Sequence, residues 1–491
     1  MLNRRTLLAA GGVAAGIVAV PRLLEPHTAD SEAVADGGHV HVHTEPVALR
    51  QGVRPAIVPF AKPMPVAPVL KPQISNPLFE VYQLRIRKCE AEILPGLRTP
   101  VLGYEGRFVG PTIRATAGRR TYVTFANELD ETTNVHLHGG HTPARHDGHP
   151  MDLIEPGRSR QYVYPNEQQG ASLWYHGHGH GTEADHVYRG LQGAYVIEDR
   201  AEARLRLPSG AYDVPILLRD IEFDPAGNLV VFDNPANRDI VLANGVPQPY
   251  FRVSARKYRF RLYNTALSKY FTLSLGSGPM TVVATDGGLL SAPVQVQELE
   301  LGSAERADIV VDFSKFPVGS QVVLSEATAG PILRFDVVTE ERDDSRVPDV
   351  LRPLPVLPAA VRERDINLSF DFNVPIGSPP NGMINGKTFE MDRVDLTVKR
   401  GTSEIWNVHS TDPDGVHHTF HLHLVQFRVL ERGGLPPQPS EAGWKDTVRI
   451  VPGEPVRIQA QFTGYTGRYL YHCHFLEHSL IGMMGQMEIV P

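Results

Sequence analysis

Four His-x-His pairs lie in two groups far apart in this chain, and any fold it adopts has to bring them together. His136-Leu137-His138 and His176-Gly177-His178 form the first group, His421-Leu422-His423 and His472-Cys473-His474 the second. Successive side chains on a strand point to opposite faces, so each pair puts both imidazoles on one face. Four such pairs present eight imidazoles to one pocket. In the last pair the intervening residue is Cys473, whose sulfur then points away from His472 and His474 toward a different metal. His478 comes five residues after Cys473, and Met483 five after that. A thiolate, an imidazole and a thioether lack one imidazole of a blue-copper donor set, and His418, just before His421, offers it. A thiolate joined through its own backbone to imidazoles on other metals is a short covalent route for electrons. The spacing reads as an electron input site wired to a multinuclear site.

At these residues the chain resembles the multicopper oxidases, and within them the branch of bacterial spore-coat laccases and bilirubin oxidases. The likeness runs from about Leu78 to the C-terminus. It passes through Gly110-Pro111-Thr112-Ile113, His136 to Gly140, Asp147-Gly148-His149-Pro150, Trp174 to His178, Gly190 to Val196, Gly443-Trp444-Lys445-Asp446-Thr447 and His472 to Met483. One His-x-His alone is a weak signal, whereas all the copper motifs in family order and near family spacing are a strong one. The resemblance implies four copper ions. Type 1 copper is expected on His418, Cys473 and His478 with Met483 axial, and type 2 on His136 and His421. One type 3 copper is expected on His138, His176 and His474, the other on His178, His423 and His472. Thr419 stands where the family has proline, which predicts a local backbone adjustment with no lost metal.

The activity so implied is one-electron oxidation of a small aromatic reducing substrate, coupled to reduction of dioxygen to water. His418 or His478 is the expected point of electron donation, with Cys473 passing each electron to His472 and His474. Oxygen reduction needs protons, so a carboxylate is expected near the cluster. Asp147 stands at the position of the family's acid, with a turn role in Asp-Gly as the other reading. The branch often has a second acid just after the type 1 His, and here that position is Ser479. Glu477 is a nearby carboxylate, to be read as catalytic or as structural. Asp414 either orients His418 or caps its loop. Two rival readings share the fold. A cuprous-ion oxidase would add a Met-rich segment and a Met near the type 1 site, but Met is scarce and Val416 lies two before His418. A non-catalytic exported protein would have lost ligands, and none is missing. A bilirubin-type tetrapyrrole oxidase remains an alternative within the same chemistry, and the oligomeric state is open.

A chain of 491 residues suggests about three domains. With 44 Gly, 41 Pro and many short alternating runs it reads as all-β, and the resemblance implies three cupredoxin-like Greek-key β-barrels. Tyr258-Arg259-Phe260-Arg261-Leu262 and Arg457 to Phe462 alternate, which predicts strands with one buried and one wet face. Domain one is expected over 77–198, domain two over 208–340, a Pro-rich linker over 341–362 and domain three over 363–491. Domain two has no histidine and cannot supply an imidazole, so its expected part is to set the spacing of the outer two. A net charge of −7 gives no nucleic-acid footprint. With Cys473 on copper, Cys89 has no partner for a disulfide.

Arg4-Arg5 before a short apolar run that ends near Val20 is a signal-peptide pattern of the twin-arginine type, with Ala33-Val34-Ala35 as a candidate cleavage site and an uncleaved membrane anchor as the other reading. Residues 1–35 are thus expected to engage the twin-arginine export machinery and to deliver a periplasmic or extracellular protein. Residues 36–76, rich in Pro and carrying His39, His41 and His43, read as an extended arm leading into domain one.

Overall fold

The computed structural model describes residues 56–491, apart from 376 and 377. The expected twin-arginine leader, the His39 to His43 tract and the start of the expected arm lie outside the described residues. The chain is all-β and builds three cupredoxin-like units, each from two sheets.

In the first unit, the strands Phe79–Ala91, Arg120–Asn127 and Ser159–Tyr164 form one sheet with Ile74–Ser75 and Thr99–Tyr104. Gly110–Thr116, Gln192–Glu198, Ala171–His176 and His136–His138 form the other. Alternation explains the packing: Tyr82, Leu84 and Ile86 point inward from one strand and meet Val123 and Phe125 from its neighbour. The third unit repeats the plan, and its inner sheet runs in the order Leu396–Lys399, Met484–Val490, Gly467–Cys473, His418–Leu422, Thr447–Ile450. The arm is extended where it is described. It pairs with Tyr250 through Pro63 and with Thr112 through Val69, and it sinks Met64 into the core of the second unit.

One alternation reads differently in three dimensions. The strand Lys257–Asn264 has no wet face, because Arg259 and Arg261 are buried along with Phe260 and Leu262. Arg259 pairs with Asp308 at 2.5 Å and with Glu202, and Arg261 pairs with Asp213 at 2.6 Å. Ser172 of the first unit donates to Asp308 at 2.7 Å. The polar face of this strand is an interface with the first unit, not a surface. A period of two separates the faces of a strand but does not say what covers the second one.

Candidate copper centres

Register decides which way each ligand points. In the third unit His421 lies opposite His472, and Phe420 opposite Cys473. Directly opposed residues share a face, so Cys473 turns with Phe420 and His418 to one side of the sheet. His421 and His472 turn to the other. The odd spacing of His418 and His421 sends two imidazoles from one strand to two different sites. In the first unit His136 lies opposite His176 and His138 opposite Trp174, which clusters their rings on one face.

On the first side His418, Cys473 and His478 form a buried trio. Cys473 Sγ lies 3.7 Å from His418 Nδ1 and 3.5 Å from His478 Nδ1, and the two nitrogens are 3.1 Å apart. Donors about 2.0–2.3 Å from a common ion stand about 3–4 Å from one another, so the trio fits one metal. Asp412 Oδ2 accepts from His418 Nε2 at 2.9 Å and leaves Nδ1 free for that metal. Asp414, read from the sequence as either this acceptor or a loop cap, is exposed. Burial pushes the Cys473 thiol up to about 12, and a coordinated metal offsets this by taking the thiolate. Met483 is buried; its carbonyl accepts from Cys473 N at 3.1 Å and its N–H donates to His478 O at 3.0 Å. The strand His418–Leu422 keeps its register through Thr419, which faces Arg449.

On the other side the eight imidazoles of the first and third units meet, all at most 1% exposed. His138 stacks on His421 with ring centroids 3.8 Å apart, and His136 on His423 at 4.0 Å. His423 Nε2 lies 3.4 Å from His178 Nε2 and 3.2 Å from His472 Nε2, the spacing of three donors on one ion. Burial, helped by crowding among the rings, holds His136, His138, His178, His421, His423 and His474 far below the usual imidazole range. They are neutral, as ligands must be.

The two nitrogens of most of these rings behave differently. One is anchored: His136 Nδ1 to Asp147 O at 2.5 Å, His176 Nδ1 to Gly177 O at 2.8 Å and His421 Nδ1 to Asp446 O at 2.7 Å. His138 Nε2 is anchored to Asp446 Oδ1 at 3.0 Å, and His423 Nδ1 to Asp147 Oδ2 at 2.7 Å. The opposite nitrogens of His136, His138, His176 and His421 are buried and have no partner among the described residues, and neither nitrogen of His474 has one there. Buried polar atoms left unpaired are costly, and a ring fixed by one nitrogen with a bare lone pair on the other is the arrangement of a metal ligand. The donor set fits copper.

Three further groups serve this pocket: Asp147, which the sequence marked, and Asp446 and Glu183, which it did not. Asp446 is held by Arg306 of the second unit through two hydrogen bonds, at 2.6 and 2.5 Å. The close approach requires Gly139, where a Cβ would lie 2.5 Å from Asp446 Oδ2. The second unit therefore supplies no imidazole but fixes the carboxylate that orients His138. Glu183, at the start of the helix Glu183–Arg189, is buried with Oε1 3.2 Å from His178 Nδ1. Ser479 Oγ donates to its Oε2 at 3.1 Å, and burial lifts this carboxyl to about 8. Asp147, lifted by burial to about 6, has Oδ1 without a partner among the described residues. Glu477 faces elsewhere: Arg238 of the second unit binds both of its oxygens, and Ser268 Oγ donates to Oε2 at 2.6 Å. His417 stacks on Tyr270 and His180 lies against Phe389, both outside the two clusters.

Family models described as multicopper oxidase match residues 85–202, 226–331 and 363–491. The chain belongs to the multicopper oxidases. It is 34% identical to the laccase of Bacillus subtilis, the alignment covering 88% of this chain and 98% of that protein. It is 32% identical to the bilirubin oxidase of Albifimbria verrucaria, over 88% and 82%. The crystal structure of a laccase from Pediococcus acidilactici superposes with a TM-score of 0.82 at 31% identity, covering 90% of this chain and 96% of that one. This multicopper oxidase is a laccase-like enzyme that couples oxidation of a reducing substrate to reduction of dioxygen.

Proposed function

We propose that this enzyme holds four copper ions: type 1 on His418, Cys473 and His478 with Met483 as weak axial donor, and three in the imidazole pocket. Type 2 is assigned to His136 and His421. The type 3 pair is assigned to His138, His176 and His474 and to His178, His423 and His472. The observation that carries this reading is the set of inward ring nitrogens without partners among the described residues. Bound there, copper supplies one-electron oxidation at the thiolate site and four-electron reduction of dioxygen to water at the trinuclear one.

The chain's own residues orient the ligands and handle protons. Asp147 holds a proton at Oδ1, the oxygen left free when Oδ2 accepts from His423. Glu183 offers a second protonated carboxyl beside His178, in contact with the position where the branch often carries its own acid and this chain has Ser479. The acid lost from the last motif is thus matched by one from the first unit. Glu477 ties the type 1 loop to the second unit through Arg238, so we assign it a structural role and not proton transfer.

The reductant is a phenol, aminophenol or aromatic amine. A chain poor in Met, with Val416 two residues before His418, favours organic reductants over Cu(I). The leader directs export by the twin-arginine route to the periplasm or the exterior. Copper-loaded protein, assayed side by side on a phenol, bilirubin and Cu(I) with oxygen uptake and metal analysis, should contain about four coppers per chain and turn over the phenol best. Turnover of Cu(I) alone would replace this reading with a metal oxidase.

A further inference from the structure

His423 stands at a corner of the third unit. The strand His418–Leu422 lies in one sheet and the next strand, Phe427–Arg432, in the other, so residues 423–426 must carry the chain across. They do so by a turn closed over a single residue. Val425 N donates to His423 O at 2.9 Å, and Leu424 between them has a φ of 72°. These are the marks of the rare, strained γ-turn with positive φ. A bulky side chain in that region is an outlier, yet Leu424 is needed where it is, because it packs into the core of the third unit.

A strained turn persists where its surroundings over-determine it, and here the restraint comes from the first unit. His141 Nδ1 donates to Leu424 O at 3.0 Å; a carbonyl accepts, so Nδ1 carries the proton. His141 is itself held. Its backbone N donates to Gln168 Oε1 at 2.7 Å, and its ring lies 5.1 Å from that of Tyr465. Gly464 makes room for it, since a Cβ there would come within 2.3 Å of His141 Nε2. A second tie follows two residues after the turn, where Gln426 Nε2 donates to Gly139 O of the first unit at 2.8 Å.

We propose that His141 is the positioning residue that holds this strained corner, and through it His423, against the first unit. This rests on the assignment of His423 to a type 3 copper. His178 of the first unit belongs to the same donor set, with its Nε2 3.4 Å from His423 Nε2, so the clasp spans the same two units as the metal. Without it the corner relaxes and His423 is no longer fixed relative to His178. The type 1 trio lies on the opposite face and within the third unit, so it is untouched.

The test compares His141→Phe, which keeps a ring beside Tyr465 but has no donor, with His141→Asn, which has an amide nitrogen where Nδ1 stood. The first readout needs no copper. Amide hydrogen exchange over residues 421–427 of the metal-free protein should speed up at Val425 about five-fold in His141→Phe, the equivalent of one hydrogen bond, and recover in His141→Asn. In copper-loaded enzyme, His141→Phe should slow reoxidation by dioxygen about ten-fold, with the blue band and its reduction by substrate unchanged. Strain is separated from packing by Leu424→Gly and Leu424→Ala, which both remove the side chain although only Gly tolerates the positive φ. Adding His141→Phe should change little in the Gly background and show its full effect in the Ala background. His141→Ala, which also lacks the donor, carries the same expectations if the Phe ring does not pack. Unchanged exchange in His141→Phe, no recovery in His141→Asn, or equal effects in the two Leu424 backgrounds would overturn the clasp. Failure of the copper assignment would show separately, as wild-type protein that binds type 1 copper alone.

Discussion

The type 1 site and the trinuclear pocket share strands but are built on opposite plans. The first takes all its donors, and the Asp412 that orients them, from the third unit. The second is split between the first and third units, and its orienting shell reaches into the second through Arg306. A site within one unit forms when that unit folds. A site between units exists only while the interface holds, so disturbing that interface should empty the trinuclear pocket and spare the blue copper.

The strongest break of this comparison is at the ligands. Cys473→Ser should remove the visible absorption altogether, since that band requires sulfur on copper. His421→Ala, three residues along from His418 but on the opposite face, should keep the colour and abolish oxygen uptake. Blue colour in the first variant, or oxygen uptake in the second, would sink the two-face assignment.

Next comes the interface itself. Arg306 and Asp446 are at most 1% exposed, and removing one partner of such a pair costs about 3–5 kcal/mol. Arg306→Met keeps most of the volume but frees Asp446 from its anchor. We expect copper analysis to show loss of trinuclear metal with the blue band retained. Loss of all four coppers together would mean that the two sites are not separable.

The copper ligands were legible in the sequence because ligation demands His and Cys at strand spacing, which is a local pattern. Apart from Asp147, their supporting groups were not, because they act across long separations. Asp446 sits in a motif whose likeness to the family is plain, yet only its place beside His138 and Arg306 shows what it does. Asp414 reads from the sequence as a candidate partner of His418, but the turn buries Asp412 there and leaves Asp414 exposed. Glu183 opens a short helix that an all-β reading had no reason to place, and Arg259 and Arg261 looked like a wet face until the first unit covered them. Sequence period reports which side chains travel together, and packing alone reports what they meet.

Proton supply sharpens the comparison further, since only the oxygen half of the reaction consumes protons. Asp147→Asn should slow reoxidation by dioxygen about 10–100-fold and leave reduction of the blue copper by substrate nearly unchanged, as read by stopped flow. A carboxyl donates while protonated, so the oxygen half-reaction should slow as pH rises past each donor in turn. Asp147, lifted by burial to about 6, sets the lower step and Glu183, lifted to about 8, the upper. Equal slowing of both half-reactions in Asp147→Asn would make that residue structural.

The smallest effect is expected at Ser479. Its hydroxyl donates to Glu183 Oε2 at 3.1 Å and favours the ionised carboxylate. One such bond is worth about 0.5–1.5 kcal/mol, equivalent to about one pH unit or less. Ser479→Ala should therefore move the upper step to higher pH by that amount and leave the lower step where it is. Stability in the metal-free protein should follow the same sign. A carboxyl raised on folding contributes stability in acid and loses it as pH rises from the ordinary carboxylate range through about 8. Losing the Ser479 bond deepens that alkaline loss, whereas Glu183→Gln should abolish it, and pH-dependent thermal unfolding distinguishes the two. An upper step that stays fixed in Ser479→Ala would mean that Glu183 does not feel the type 1 loop, and that the two sites are even more independent than their plans suggest.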